Sequence, residues 1–183
     1  MTKDDIIALP DPRLRQRSQR VAHIDEATKQ LVLDMTTATL DWGASRSHEI
    51  EVALAAVQIG DMRRVIIVRE DFEDHDNNRF RAFINPEIVK FEGEPVEDLE
   101  GCLSVTDVYA EVARYPKVKI KALNLQGQPV RLTATGFLAR IFQHEIDHTN
   151  GIVIIDRVTN DSKLLALQPD GSFIPIKPVT ETT

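Results

Sequence analysis

TGFLARIFQHEIDHTNG, residues Thr135 to Gly151, carries the pentad His144-Glu145-Ile146-Asp147-His148 at its centre. On an α-helix, positions i and i+4 lie one above the other on one face, so the two imidazoles converge on one point. Two neutral imidazoles at this spacing offer two nitrogen ligands to a divalent metal, and an acid directly after the first His can handle protons beside it. Here that acid is Glu145. Phe137, Leu138, Ile141, Phe142 and Ile146 leave the segment apolar nearly all round, the pattern of a helix buried in a core. Thr135 stands at its N-cap, and Asn150-Gly151 supplies a left-handed stop. The competing reading is a pair of core histidines satisfied by hydrogen bonds. A catalytic zinc-type centre takes three protein ligands and keeps one open position, so the helix is one ligand short. Cys102, in Glu100-Gly101-Cys102-Leu103-Ser104, is the candidate third ligand, against the reading of a free cysteine as buried, inert filler.

Around this helix the chain reads as short strands with one further helix. Asp25 to about Asp41 has Leu31, Met35, Ala38 and Trp42 at helical spacing, with Asp25 as cap and Glu26 in the first turn. The opening around Pro10-Asp11-Pro12 is a turn in a loop that holds at most a short helix, and Gly43 to His48 is a polar connector. Strands are predicted over Val52–Ile59 and Arg64–Val68, separated by a turn at Gly60-Asp61, then over Phe80–Ile84 and Glu87–Phe91 on either side of Asn85-Pro86. Glu70 to Asn78 is a surface loop. Lys117–Leu125 alternates and turns through Gln126-Gly127-Gln128 into Pro129–Thr133, with Lys117, Lys119 and Lys121 facing solvent. Ile152–Ile155 and Phe173–Ile176 read as strands and Asn160–Leu167 as a helical turn. His48 and His75 read as surface residues without a role. The sum is an α+β fold, antiparallel sheets packed around the central buried helix that carries HEIDH, plus an N-terminal amphipathic helix.

At 183 residues the chain is the size of one domain, residues 1–183, with 177–183 a loose tail. The net charge of -7, from 29 acidic and 22 basic residues, and the lack of any Lys/Arg run argue against direct nucleic-acid binding and against an anionic membrane surface. Apolar stretches fall short of the roughly 18 residues that cross a bilayer. The start, MTKDDIIALP, lacks a basic leader and an apolar signal core, so a soluble cytoplasmic protein is expected. A single cysteine excludes an internal disulfide and suits a reducing compartment.

Three segments, Glu51-Val52-Ala53-Leu54-Ala55-Ala56-Val57-Gln58, Glu100-Gly101-Cys102-Leu103-Ser104 and His144-Glu145-Ile146-Asp147-His148, together resemble the three motifs of the peptide deformylase family, in the family's order. Leu9 to Arg15 is similar to the family's opening. The resemblance implies a metal-dependent hydrolase that removes the N-formyl group from the formyl-methionine of newly made polypeptides near the ribosome, releasing formate, and that works as a monomer. It implies one divalent metal held by Cys102, His144 and His148, Fe2+ natively, with Zn2+, Ni2+ or Co2+ able to take the same site. Glu145 is then the acid-base residue, and Gln58 with the Leu103 N–H are the oxyanion donors. Glu51, Val52 and Ala53 line the substrate cleft, and Tyr109 stands where some members carry a substrate-contacting Arg. Glu51 and Ala53 replace two family glycines, which leaves an alternative: a deformylase-like metal-binding protein with altered or lost turnover. A metallopeptidase sharing only H-E-x-x-H fits poorly with EGCLS, and a cysteine nucleophile fits poorly with a thiol held by a metal.

Overall fold

A computed structural model of the chain describes residues 1–46, 51–72, 74, 77–158 and 164–176. His48, His75, residues 160–163 of the expected helical turn and the 177–183 tail lie outside the described residues. Helix α1 spans Glu26–Ala44, and the Asp25 carboxylate caps it by accepting from the Thr28 N–H at 2.8 Å. Helix α2 spans Gly136–His148 and carries the pentad. Thr135 is its N-cap residue but makes no side-chain cap bond, and the helix is stopped by Gly151 at φ 77°.

Among the described residues, nine strands form two antiparallel sheets. The first has the order β1 (Ala53–Ala55), β2 (Val65–Arg69), β3 (Phe80–Glu92), β6 (Lys117–Leu123), β7 (Pro129–Thr135). The second has the order β4 (Val96–Gly101), β5 (Val108–Arg114), β8 (Leu164–Leu167), β9 (Phe173–Ile176). The first sheet is covered on both faces. Ala55, Ile66, Val68, Phe83, Val118 and Ile120 pack with Ala139, Ile141, Phe142 and Ile146 of α2. Leu54, Val65, Ile67 and Ile84 pack with Leu31, Val32 and Met35 of α1. Burial on both faces is why β2 reads as an unbroken apolar run instead of alternating.

Four expectations are corrected. Val52–Ile59 is a strand only over Ala53–Ala55, and Ala56–Ile59 turn as a 3-10 helix closed by Gly60 at φ 75°, because Gln58 folds back onto the Ala55 N–H. Ile152–Ile155 is not a strand, since a 3-10 helix takes Ile154–Arg157. Leu164–Leu167 is strand β8, not a helical turn. Asn85-Pro86 does not separate two strands but forms a bulge inside the 13-residue β3. Asn85 there has φ 53° and binds both backbone groups of Val21 at 2.9 Å, a local bonding that offsets the left-handed conformation. The β4–β5 hairpin went unread: VEDLEG of β4 is polar and mostly exposed, and the alternating buried positions of β5 are Ala110, Val112 and the charged Arg114, a weak apolar signal.

Candidate metal centre and active-site cleft

The two halves of the site come from elements far apart in sequence. Helix α2 presents His144, Glu145 and His148, while the end of β4 delivers Glu100, Gly101 and then Cys102. Cys102 Sγ lies 3.2 Å from His148 Nε2, which lies 3.1 Å from His144 Nε2, and the three atoms fall within 4.8 Å of one another. A tetrahedral centre with metal–N of about 2.1 Å and metal–S of about 2.3 Å has edges of roughly 3.3–3.6 Å, so the Cys102–His148 and His148–His144 edges are slightly shorter than that shape. One soft and two borderline donors converging on one point are a donor set that fits a divalent transition metal. The tautomer of His144 fits as well: its Nδ1 faces Glu100 Oε2 at 3.1 Å, leaving Nε2 turned to the cluster.

Beneath the ligands lies a buried ionic layer. Glu100 also accepts from Arg114 at 2.9 and 3.0 Å and from Arg140 at 2.8 Å, and Arg114 and Arg157 both hold Asp147. Burial alone would raise the Glu100 pKa, but the His144 and Arg114 hydrogen bonds outweigh it and hold the carboxyl far below its usual range. Burial pushes His148 well down, which keeps its ring neutral and ligand-competent. Glu145 is 4 % exposed, and its Oε2 has no hydrogen-bond partner among the described residues. Burial, reinforced by the Glu100 charge, lifts it to about 7 against the pull of His144 and Arg114. A carboxyl poised there both takes and gives a proton at neutral pH.

These groups open into a cavity of about 300 Å³. Val52, Ala53, Gln58, Cys102, Leu103, Tyr109, His144 and Glu145, all named from sequence, line it. Gln58 is pinned: its Oε1 accepts from the Ala55 N–H at 2.8 Å, which turns Nε2 toward Ser104 Oγ at 3.2 Å and Cys102 Sγ at 3.8 Å. Tyr109 packs against Gly101, where a Cβ would meet its ring at 2.8 Å, and edge-to-face on Phe173 with centroids 5.0 Å apart. Glu51 is the exception. Expected on the cleft wall, it is buried elsewhere, its carboxylate paired with Arg69. Trp42, Leu99, Phe137 and Arg140 also line the cavity, none of them given a site role from the sequence. Of these only Arg140 left a signal, a cation one helical turn before His144 on an otherwise apolar helix.

Residues 3–164 match the family model described as polypeptide deformylase. A peptide deformylase of Thermomicrobium roseum is 43 % identical over 162 residues, covering 87 % of this chain and 88 % of the relative. The chain belongs to the polypeptide deformylase family. A Dictyoglomus turgidum peptide deformylase is 42 % identical over 160 residues, 87 % of this chain and 95 % of its own length. The fold agrees with solved deformylases: the Thermotoga maritima enzyme superposes with a TM-score of 0.74 at 35 % identity, covering 85 % of this chain and 97 % of that one. The Synechococcus elongatus enzyme in complex with actinonin gives 0.75 at 36 % identity, over 85 % and 80 % of the two chains. As a family member the chain is a metal-dependent hydrolase, and its Cys-His-His cluster brings together donors able to hold a metal ion. No described helix is long and apolar enough to cross a membrane.

Proposed function

We propose that this deformylase removes the formyl group from formyl-methionyl peptides through Cys102, His144 and His148 as metal ligands and Glu145 as the proton carrier. The observation that carries the reading is the meeting, in one cavity, of the three ligand atoms within 4.8 Å and a carboxyl lifted to about 7. When bound, a divalent metal supplies Lewis-acid activation of water and of the formyl oxygen. Glu145 Oε2, otherwise unpartnered, takes a proton from the attacking water and returns it to the leaving amine, so formate and a free amino terminus depart. Gln58 Nε2 and the Leu103 N–H, from two residues that line the cavity, donate to the oxygen as negative charge builds on it. Because Gln58 Oε1 is tied to the Ala55 backbone, that donor is aimed in advance. Leu99, Phe137 and Ile141 give the methionine side chain an apolar seat, and Val52, Ala53 and Tyr109 border the peptide beyond it.

The alternative of lost turnover finds no support. Glu51 points its charge away from the cavity, and Ala53 adds a single methyl to a strand that keeps its pairing with Val68. Fe2+ is the proposed native ion, and a single-domain cytoplasmic monomer meeting nascent chains near the ribosome is the proposed setting.

The test is formate release from formyl-Met peptides by anaerobically prepared protein of known metal content. Glu145→Gln should lose about 10²- to 10⁴-fold in kcat while keeping its metal. Full activity in that variant overturns the proton-carrier role, and no formate from the metal-loaded parent overturns the reading as a whole.

A further inference from the structure

β1 is the edge strand of its sheet, and its ladder with β2 begins only at Ala53–Val68. Glu51 and Val52, the residues that lead into it, lie beyond that first pair, so something else must fix their path. Arg69, the last residue of β2 and only 4 % exposed, meets them at three points. Its backbone N–H donates to the Val52 carbonyl at 2.8 Å, its Nε donates to the Glu51 carbonyl at 3.2 Å, and its Nη2 pairs with the Glu51 carboxylate. The third reach of the guanidinium itself, Nη1 to the Asn77 carbonyl at 2.9 Å, anchors the fork to the segment before β3. The Phe80 ring, 5.4 Å from the guanidinium carbon, closes over it.

We propose that Arg69 and Glu51 are a positioning pair that sets the path of Val52 and Ala53 along the cleft. The proposal rests on the deformylase reading above, because only a peptide lying beside these two residues gives their path a catalytic consequence. Where Glu51 replaces a glycine of the first motif, the lost conformational freedom is replaced by a side chain tied to a buried cation. The pair touches neither ligands nor reacting atoms. Its loss should therefore raise KM and leave kcat and metal content in place, which a purely structural role would not separate.

The experiment compares the metal-loaded parent with Arg69→Lys, which keeps the charge but not the planar fork, and with the charge-free double variant Glu51→Gln/Arg69→Met. Formate release from a formyl-Met tripeptide should show KM raised about tenfold in the double variant, less in Arg69→Lys, with kcat within about threefold. Amide hydrogen exchange is read in parallel, and residues 52–55 should lose protection while α2 keeps it. Wild-type KM and unchanged protection at 52–55 in folded variants overturn the proposal, as does global unfolding of both, which would assign the pair to stability alone. Exchange reports on the pair even if the parent releases no formate, so a failure of the deformylase reading shows separately.

Discussion

Replacing Gly43 by alanine sets two effects of opposite sign against each other. Gly43 lies one residue before the end of α1, and a glycine-to-alanine change inside a helix gains about 1 kcal/mol from propensity. Taken alone, that gain raises the melting temperature. Gly43, however, is where Glu51 comes to rest: a Cβ built on it falls 2.8 Å from Glu51 Oε1 and nearer still to the other carboxyl atoms. The carboxylate has no easy retreat, because it is paired with Arg69 at side-chain exposures of 7 % and 3 %. Separating a buried ion pair costs about 3–5 kcal/mol, so the loss exceeds the propensity gain by about 2–4 kcal/mol. At about 2–4 °C per kcal/mol for a domain of this size, the melting temperature should fall by about 4–16 °C. Thermal unfolding of the metal-loaded protein, followed by circular dichroism or calorimetry, measures it. A midpoint that rises by a few degrees, as propensity alone demands, refutes the reasoning and with it the locked geometry of Glu51.

Two further outcomes follow from the ionic layers. Glu100→Gln leaves the guanidiniums of Arg114 and Arg140 short of a buried carboxylate and faces His144 Nδ1 with a weaker acceptor. Metal affinity should drop about 10- to 100-fold, read by competition with a chromophoric chelator, and affinity unchanged within twofold would remove Glu100 from any role in orienting His144. On the outer face, the Lys117 and Lys90 hydrogen bonds hold Glu92 down to about 2 from an ordinary value of 4.5. A depressed carboxylate stabilises fully above its unfolded pKa, so this contribution begins to fade below pH 4.5 and is gone below about pH 2. Glu92→Gln should flatten that limb of the melting temperature against pH, and about 1 M salt should shrink the difference, since the group is only half-buried and open to screening. Identical acid limbs at low salt would contradict the assignment.

The pentad, the cap at Asp25 and the Lys117–Leu123 alternation were legible because each is a local pattern. Helical stacking of i and i+4, a side chain reaching an N–H three residues on, and the two-residue pleat all act within one element. The Val52–Ile59 segment was misread for the opposite reason. Its apolar run satisfies strand and buried turn equally, and what decides is Gln58 turning back toward Cys102, 44 residues along the chain. β4 was silent because a solvent-facing strand need not alternate, β5 because its alternating buried positions are Ala110, Val112 and the charged Arg114, and the Asn85 bulge was masked by a proline that usually breaks strands.

By itself the sequence determined the donor chemistry: which helix offers two imidazoles and an acid, which thiol is available, and a resemblance strong enough to join them. Only the tertiary structure decided how these donors are held and where Glu51 goes. The approach of β4 to α2 puts Cys102 Sγ 3.2 Å from His148 Nε2, and Glu51 spends its charge on Arg69 instead of on the cleft. The physical reason is that a buried charge takes whichever partner the packed chain brings within reach, and that partner is fixed by contacts between distant segments that no local pattern encodes.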